Sequence, residues 1–210
     1  MCAILNYMKG FSVLKTLQVL SYIQQKSGRT DMLSLLKYCF FADRKMLRTF
    51  GIPILDDKYF ALKFGPVCSQ TKNILQQDFD YLYVNKSDEE LIKANISVTG
   101  VHDMKISALN TSSLSKAEKQ ALDFVIATFG SFSPFELVEI THDYPEWKRW
   151  ENSLSATNQS EIMDYADFFK NPVETPALDK YFHSKDPFEE TSENLEIAKS
   201  MYFQNYAVQF

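Results

Sequence analysis

From Met32 to Phe50 the apolar residues Met32, Leu35, Leu36, Cys39, Phe40, Met46, Leu47 and Phe50 recur at spacings of three and four, and Gly51 follows at once. That period marks an α-helix with one face in a core, and a glycine is well suited to stop it. The same period also lands on position 43, which is Asp43. A carboxylate there constrains the fold strongly, because an unpaired buried charge is too unfavourable to keep. Three readings are open: an anchor accepting hydrogen bonds from backbone amides, a contact for a ligand or partner, or a catalytic group. The anchor asks for the least. The N–H groups of a hairpin, or of a helix start at Gly65-Pro66-Val67, are ready donors.

Around this segment the pattern is mostly helical. FSVLKTLQVLSYIQQKSG begins at a Ser12 cap and ends at Gly28, and Thr30 is the expected cap of the second helix. In IPILDDKYFALKF two short β-prone runs flank Asp56-Asp57, which predicts a hairpin with a solvated turn and Pro53 at an edge. Gly65-Pro66 then opens a third helix, VCSQTKNILQQ, with Pro66 at its first position. YLYV, IKANISV and MKISAL read as strands that complete a small sheet with the hairpin. LSKAEKQALDFVIATFG carries a Ser115–Glu118 capping box and closes at Gly130, and SPFELVEITHDYPEWKRW repeats the device with Ser133, Pro134 and Glu136. Pro145 starts a short helix bearing Trp147 and Trp150, and SEIMDYADFFK reads as a helix from a Ser160 cap. The expected class is α+β. It is a predominantly helical single domain, with a small antiparallel sheet from residues 52 to 110 inserted between the N-terminal and C-terminal helices.

Residues 171–210 differ. They hold seven acidic residues against three lysines, a net of −4, so the first 170 residues supply only −1 of the −5 on the whole chain. One helix, ENLEIAKSMYFQNY, is expected here, with Phe182, Phe188, Tyr202 and Phe203 packing back because so much aromatic surface would not stay in water. The predicted organisation is a domain over 1–170 and an acidic, aromatic-rich extension over 171–210.

Composition narrows the function classes. An acidic chain of pI 5.3 is not expected to bind nucleic acid, because neutralised phosphates supply most of that affinity. A DNA-binding regulator would need a basic stripe, for which Lys37, Arg44, Lys45 and Arg48 on the back of the second helix are the candidates. No run of about 18 apolar residues predicts a membrane span. The opening MCAILNYMKGF lacks the features of a signal peptide, and Cys2, Cys39 and Cys68 are odd in number with no CxxC pair, so a reducing cytoplasm is expected.

No cluster of chemistry emerges. His102, His142 and His183 are scattered, which predicts no metal site and no cofactor. Thr141-His142-Asp143 fits a helix C-terminus, although an adjacent carboxylate also orients an imidazole. Cys39 on the apolar stripe reads as a small hydrophobe, whereas Cys68 in a first helical turn has a dipole to lower its pKa. Cys68 with His142 is therefore the one hydrolase pair to weigh. Gly65 lacks the companions of a phosphate loop. Lys148-Arg149 lies between two tryptophans that fit a core edge better than a base stack.

Two blocks carry a resemblance. KYCFFADRKMLRTFGIPILDDKYFALKFGPV is similar to the signature of Panacea-domain antitoxins, the SocA-like family of toxin–antitoxin systems. LSKAEKQALDFVIATFGSFSPFELVEITHDYPEWK resembles that family's C-terminal half, with its Ser-x-x-Glu-Leu helix and Thr-His before a Pro-x-Trp. The resemblance spans residues 8 to 170, and the segment beyond has no counterpart in it. It implies a non-enzymatic interaction protein that neutralises a cognate toxin by direct binding, and in one branch an adaptor that delivers the toxin to a AAA+ protease. Asp43, Arg44, Gly65, Pro66, Val67, His142, Asp143 and Trp147 match the family motif. Within that reading Asp43 anchors the hairpin and the Gly65-Pro66 turn against the second helix.

Overall fold

A computed structural model describes residues 10–82 and 84–206; Cys2 and Tyr83 of the expected YLYV strand lie outside them. Helix α1 (Val13–Ser27) starts where the Ser12 side chain accepts from the Lys15 amide and stops at Gly28, as its local chemistry predicts. Helix α2 (Met32–Phe50) is capped by Asp31, whose side chain accepts from the Ser34 amide at 2.8 Å. The expected cap, Thr30, instead donates its hydroxyl to Asp103 at 2.9 Å, and its carbonyl accepts from the Met104 amide. A cap one residue later leaves Thr30 free to tie this corner to a distant ribbon.

Strands β1 (Tyr59–Leu62) and β2 (Gly65–Cys68) form an antiparallel hairpin in the register Tyr59↔Cys68 to Leu62↔Gly65. Its turn is Lys63-Phe64, not Asp56-Asp57, and the run before those aspartates is a loop. Gly65-Pro66 lies in β2 rather than opening a helix. Pro66 is tolerated there because β2 is an edge of the sheet, where a missing N–H breaks no ladder. Helix α3 (Ser69–Gln76) begins only after Cys68. Buried Asp57 accepts from the amides of Gln70 at 2.9 Å and Thr71 at 2.7 Å, so it satisfies the start of α3 from outside the helix.

Two elements depart from their predicted type. The segment expected as strands contains helix α4 (Lys86–Asn95), which an Asn85–Asp88 capping box starts. Among the described residues, strands β3 (Ile96–Val98) and β4 (Met104–Ile106) pair with each other and with no other strand, in a separate ribbon held to α1 through Gln24. The third strand of the hairpin sheet is instead β5 (Ser160–Ile162), paired Phe60↔Ile162 in the order β2-β1-β5. That stretch was expected to be helical. Pairing with the open edge of β1 satisfies its backbone better than a short helix would. A 3₁₀ turn, Tyr165–Phe169, capped by Asp164, is all that remains of the predicted helix.

Helices α5 (Lys116–Phe129) and α6 (Pro134–His142) carry both predicted capping boxes, and α7 (Pro145–Lys148) carries Trp147. Trp150 falls beyond its end. Helices α8 (Pro176–Phe182) and α9 (Ser192–Tyr206) build the chain beyond 171. The architecture is α+β, predominantly helical, with small antiparallel sheets, and α2 runs through its centre against α1, α5, α6, α9 and β2. The core is aromatic. Phe188 is fully buried and stacks on Phe41 and Phe129 at centroid distances of 5.8 and 5.6 Å. Phe182 packs edge-on against Phe129, and Tyr202 stacks on Tyr165 at 5.2 Å. Phe203 departs from the expected inward packing and stays on the surface, because the inward face of α9 is Leu195, Ala198 and Tyr202.

Candidate functional site

Four charged side chains of α2, namely Lys37, Asp43, Arg44 and Arg48, have no exposed surface. Each must be matched by polar groups from elsewhere, so each marks where another segment is fastened to the central helix.

Asp43 takes hold of the segment between α2 and β1. Its Oδ1 accepts from the amides of Ile54 at 2.6 Å and Leu55 at 3.1 Å, and its Oδ2 accepts from the Tyr59 hydroxyl at 3.0 Å. Burial pushes the carboxyl up to about 7, while these three donors pull it back down. Every lone-pair direction that matters is used by the chain itself.

Lys37 holds the hairpin tip. Its Nζ donates to the carbonyls of Phe64 at 2.5 Å and Pro66 at 3.0 Å, on the edge of β2 that has no partner strand among the described residues. Burial lowers the amine to about 7, and a neutral amine still carries two N–H groups for those two acceptors. Gly65, between them, has φ +85°, and a Cβ there would sit 2.4 Å from the Thr141 hydroxyl and 2.6 Å from the Lys37 amine. Both the backbone and the space exclude a side chain. On the other side of the tip Trp147 donates its indole N–H to the Leu62 carbonyl at 2.8 Å, and His142 stacks on its ring with centroids 3.6 Å apart. Burial, then the nearby Lys37 charge, pushes His142 down to about 4, so it stacks as a neutral imidazole at neutral pH.

Arg44 and Arg48 hold the chain beyond 165. Arg44 pairs with buried Glu146, lies over the Tyr144 ring at 4.0 Å, and sits 3.9 Å from Asp186, close enough for attraction but without a hydrogen bond. Arg48 donates to the carbonyls of Phe168, Lys170 and Phe188 at 2.8–3.0 Å and to the Asn171 side chain at 2.5 Å. Burial, with the Arg44 charge second, lowers it to about 10. Asp143 completes the set by accepting from the Ala177 and Leu178 amides at 2.8 and 2.7 Å, at the start of α8.

The matched motif residues thus form two groups. Asp43, Gly65, Pro66, Val67, His142 and Trp147 gather around the hairpin, and Arg44 and Asp143 reach the C-terminal extension. Lys37, Arg48, Asp57, Glu146 and Asp186 do comparable work and were not singled out for it. A signal was present for the first two: Lys37, Arg44 and Arg48 lie on one stripe of a helix whose other faces are also apolar.

That stripe does not offer the exposed basic surface that the DNA-binding alternative needs. Lys37, Arg44 and Arg48 are sealed, and the remaining Lys45 is engaged by Glu190 at 3.4 Å. The hydrolase pair fares no better. Cys68 is fully buried, and burial together with the neighbouring Cys39 raises its thiol well above the ordinary value, the opposite of what a nucleophile needs. A shallow hollow of about 510 Å³ lies between α7 and the chain beyond it, but Lys148 pairs with Glu151 there and Arg149 and Lys170 with Asp167. Among the described residues no three His, Cys, Asp or Glu side chains come together as a metal site, and no single helix is long and apolar enough to cross a membrane.

A family model described as "Antitoxin SocA-like, Panacea domain" matches residues 35–148, more than half of the 210-residue chain. No curated protein and no solved structure matches it.

Proposed function

The chain belongs to the SocA-like antitoxin family defined by the Panacea domain, and on that premise we propose that it neutralises a cognate toxin by binding it directly. The observation that carries this reading is the use made of the charges of α2. Asp43, Lys37 and Arg48 are spent on the protein's own backbone, which suits a rigid scaffold that presents a surface. In this reading Asp43, Gly65, Pro66, Val67, His142 and Trp147 hold the hairpin as one part of that scaffold. Arg44 and Asp143 hold the 171–210 extension as the other, on a domain formed by residues 1–170. The protein works in the cytoplasm without a cofactor, metal or catalytic step, and the same surface serves an adaptor role if the toxin is handed to a AAA+ protease.

The test is genetic and then physical. The reading frame beside this one, expressed alone, is expected to arrest growth. Co-expression of this chain is expected to restore growth through a complex that co-purifies. A harmless neighbour, or rescue without a complex, refutes direct neutralisation. Loss of toxin only when a AAA+ protease is present distinguishes delivery from blocking.

A further inference from the structure

Residue Gly51 ends α2 against α9: a Cβ on it would lie 2.2 Å from the Ala198 carbonyl and 3.0 Å from the Met201 side chain. Backbone therefore meets backbone here, and the two elements present a single surface. On that surface Phe50 and Ile52 flank the glycine, 44 % and 41 % exposed. Met201 lies beside them at 41 %, and Ile197, one turn earlier on the same flank of α9, is 55 % exposed. Four large apolar side chains thus stand exposed on the two chain segments that meet at this contact, whereas isolated surface apolar residues need no explanation.

The next position up that flank, again four residues earlier, is Glu193, exposed and without an ion pair among the described residues. Glu189, just before α9, is also exposed and unpaired among them. The nearby acids Glu190 and Glu196 are matched by Lys45 and Lys199. The unpaired charge near the head of the stripe is therefore net negative among the described residues, Glu189 and Glu193 against the exposed Lys185, in an extension of net charge −4.

We infer that the stripe of Phe50, Ile52, Ile197 and Met201, headed by Glu189 and Glu193, is the docking surface for a basic protein face with an apolar centre. On the antitoxin reading, from which this deepening proceeds, that face belongs to the toxin. The apolar centre supplies the buried contact, and the two carboxylates steer the approach and set its orientation. An anionic membrane is disfavoured by the same carboxylates.

The test uses the full chain and the purified product of the neighbouring reading frame. Ile197→Lys with Met201→Lys is expected to weaken binding by about 30-fold or more and to abolish growth rescue. The melting temperature is expected to fall by no more than about 5 °C, because roughly half of each side chain already stands in solvent. Ile197→Ser with Met201→Ser repeats the test if the lysines disturb α9. Glu189→Lys with Glu193→Lys is expected to slow association about fivefold at low salt and to flatten its salt dependence. Phe64→Ser with Phe135→Ser, at an exposed aromatic pair between the hairpin tip and α6, is the control and is expected to stay within about threefold. Unchanged affinity in the α9 variants, or a loss confined to the hairpin variant, overturns this surface while leaving the antitoxin reading intact. A wild-type dimer that the α9 variants split without affecting toxin binding overturns it too. Failure of the wild type to bind at all refutes the antitoxin reading, and the surface with it.

Discussion

The hairpin and the C-terminal extension are both fastened to α2 by buried charges, but the two fastenings differ in completeness. At the hairpin, Asp43 and Lys37 meet backbone donors and acceptors at hydrogen-bond distance, and both Asp43 oxygens are used. At the extension, Arg44, Glu146 and Asp186 form a buried ionic cluster in which Arg44 Nε and Nη2, Glu146 Oε2 and Asp186 Oδ2 have no hydrogen-bond partner among the described residues. A satisfied network fixes geometry, while a partly satisfied ionic cluster holds mainly by charge in a low dielectric. Asp43 and Lys37 are therefore the firmer fastening and the Arg44 cluster the more sensitive to loss of a single charge, while Arg48 on the extension side is as fully matched as the first two.

The strongest way to break that contrast is Arg44→Met. Stranding Glu146 and Asp186 in the interior is expected to lower stability by about 3–5 kcal/mol, and adding Glu146→Leu is expected to recover most of it. Denaturant melts of the two singles and the double close the cycle. If the double is no more stable than Arg44→Met, the cluster is not the isolated ionic unit described here.

Asp43→Ala tests the hairpin side. It leaves the Ile54 and Leu55 amides without an acceptor and is expected to lower stability by about 1–3 kcal/mol, with cleavage by limited proteolysis appearing between α2 and β1. An unchanged melting curve would remove Asp43 as an anchor. Lost toxin binding at unchanged stability would make it a contact residue instead.

Protonation sharpens the contrast further. Lys37 titrates near 7 in the folded chain against an ordinary 10.5, so above pH 7 the unfolded chain holds a proton that the folded one has shed. Stability from this group is lost as pH falls through 7 and grows as pH rises above it, by at most about 1.4 kcal/mol per pH unit. The clean window is pH 7 to 9, because Cys68, raised by burial from 9.0, contributes with the opposite sign above it. Asp43, raised to about 7, acts below that window, where its stabilising effect declines as pH rises from 3.8. Between pH 7 and 9 the stability of Lys37→Met, measured against wild type, is expected to lack the rise. Parallel curves would mean that Lys37 keeps its proton at the hairpin tip.

The smallest effect is expected at Phe203→Ser. Its ring is 38 % exposed and meets Tyr202 edge-on, so the stability change should stay within about 0.5 kcal/mol by thermal melting. A larger loss would show that the outer face of α9 carries the extension's packing.

Much of the helical frame was legible because its determinants are local. Ser12, the Ser115–Glu118 and Ser133–Glu136 boxes, Pro134, Gly28 and Gly51 act within a turn or two of themselves, and each stands where the pattern put it. Asp43 was legible as an oddity, since a carboxylate in an apolar stripe is visible without coordinates. The two block resemblances carried the family.

Tertiary structure decided the rest, and the reason is sequence distance. A strand as short as Ser160–Ile162 has no local signature strong enough to mark it, and it becomes a strand only because β1, a hundred residues earlier, offers an open edge. The ribbon of β3 and β4 separates from the hairpin sheet because Gln24 of α1 binds both its Met104 carbonyl and its Ile106 amide. The apolar residues on the other faces of α2 are the one local sign that Lys37, Arg44 and Arg48 are covered, and they do not say by what. Spacing alone read them as a solvated basic stripe. What covers that stripe arrives from the hairpin, from α7 and from the extension, so the sequence by itself determined where the helix lies and which side chains share a face. Burial of that face, which turns three cations into internal fasteners, was determined only when the distant segments closed over it.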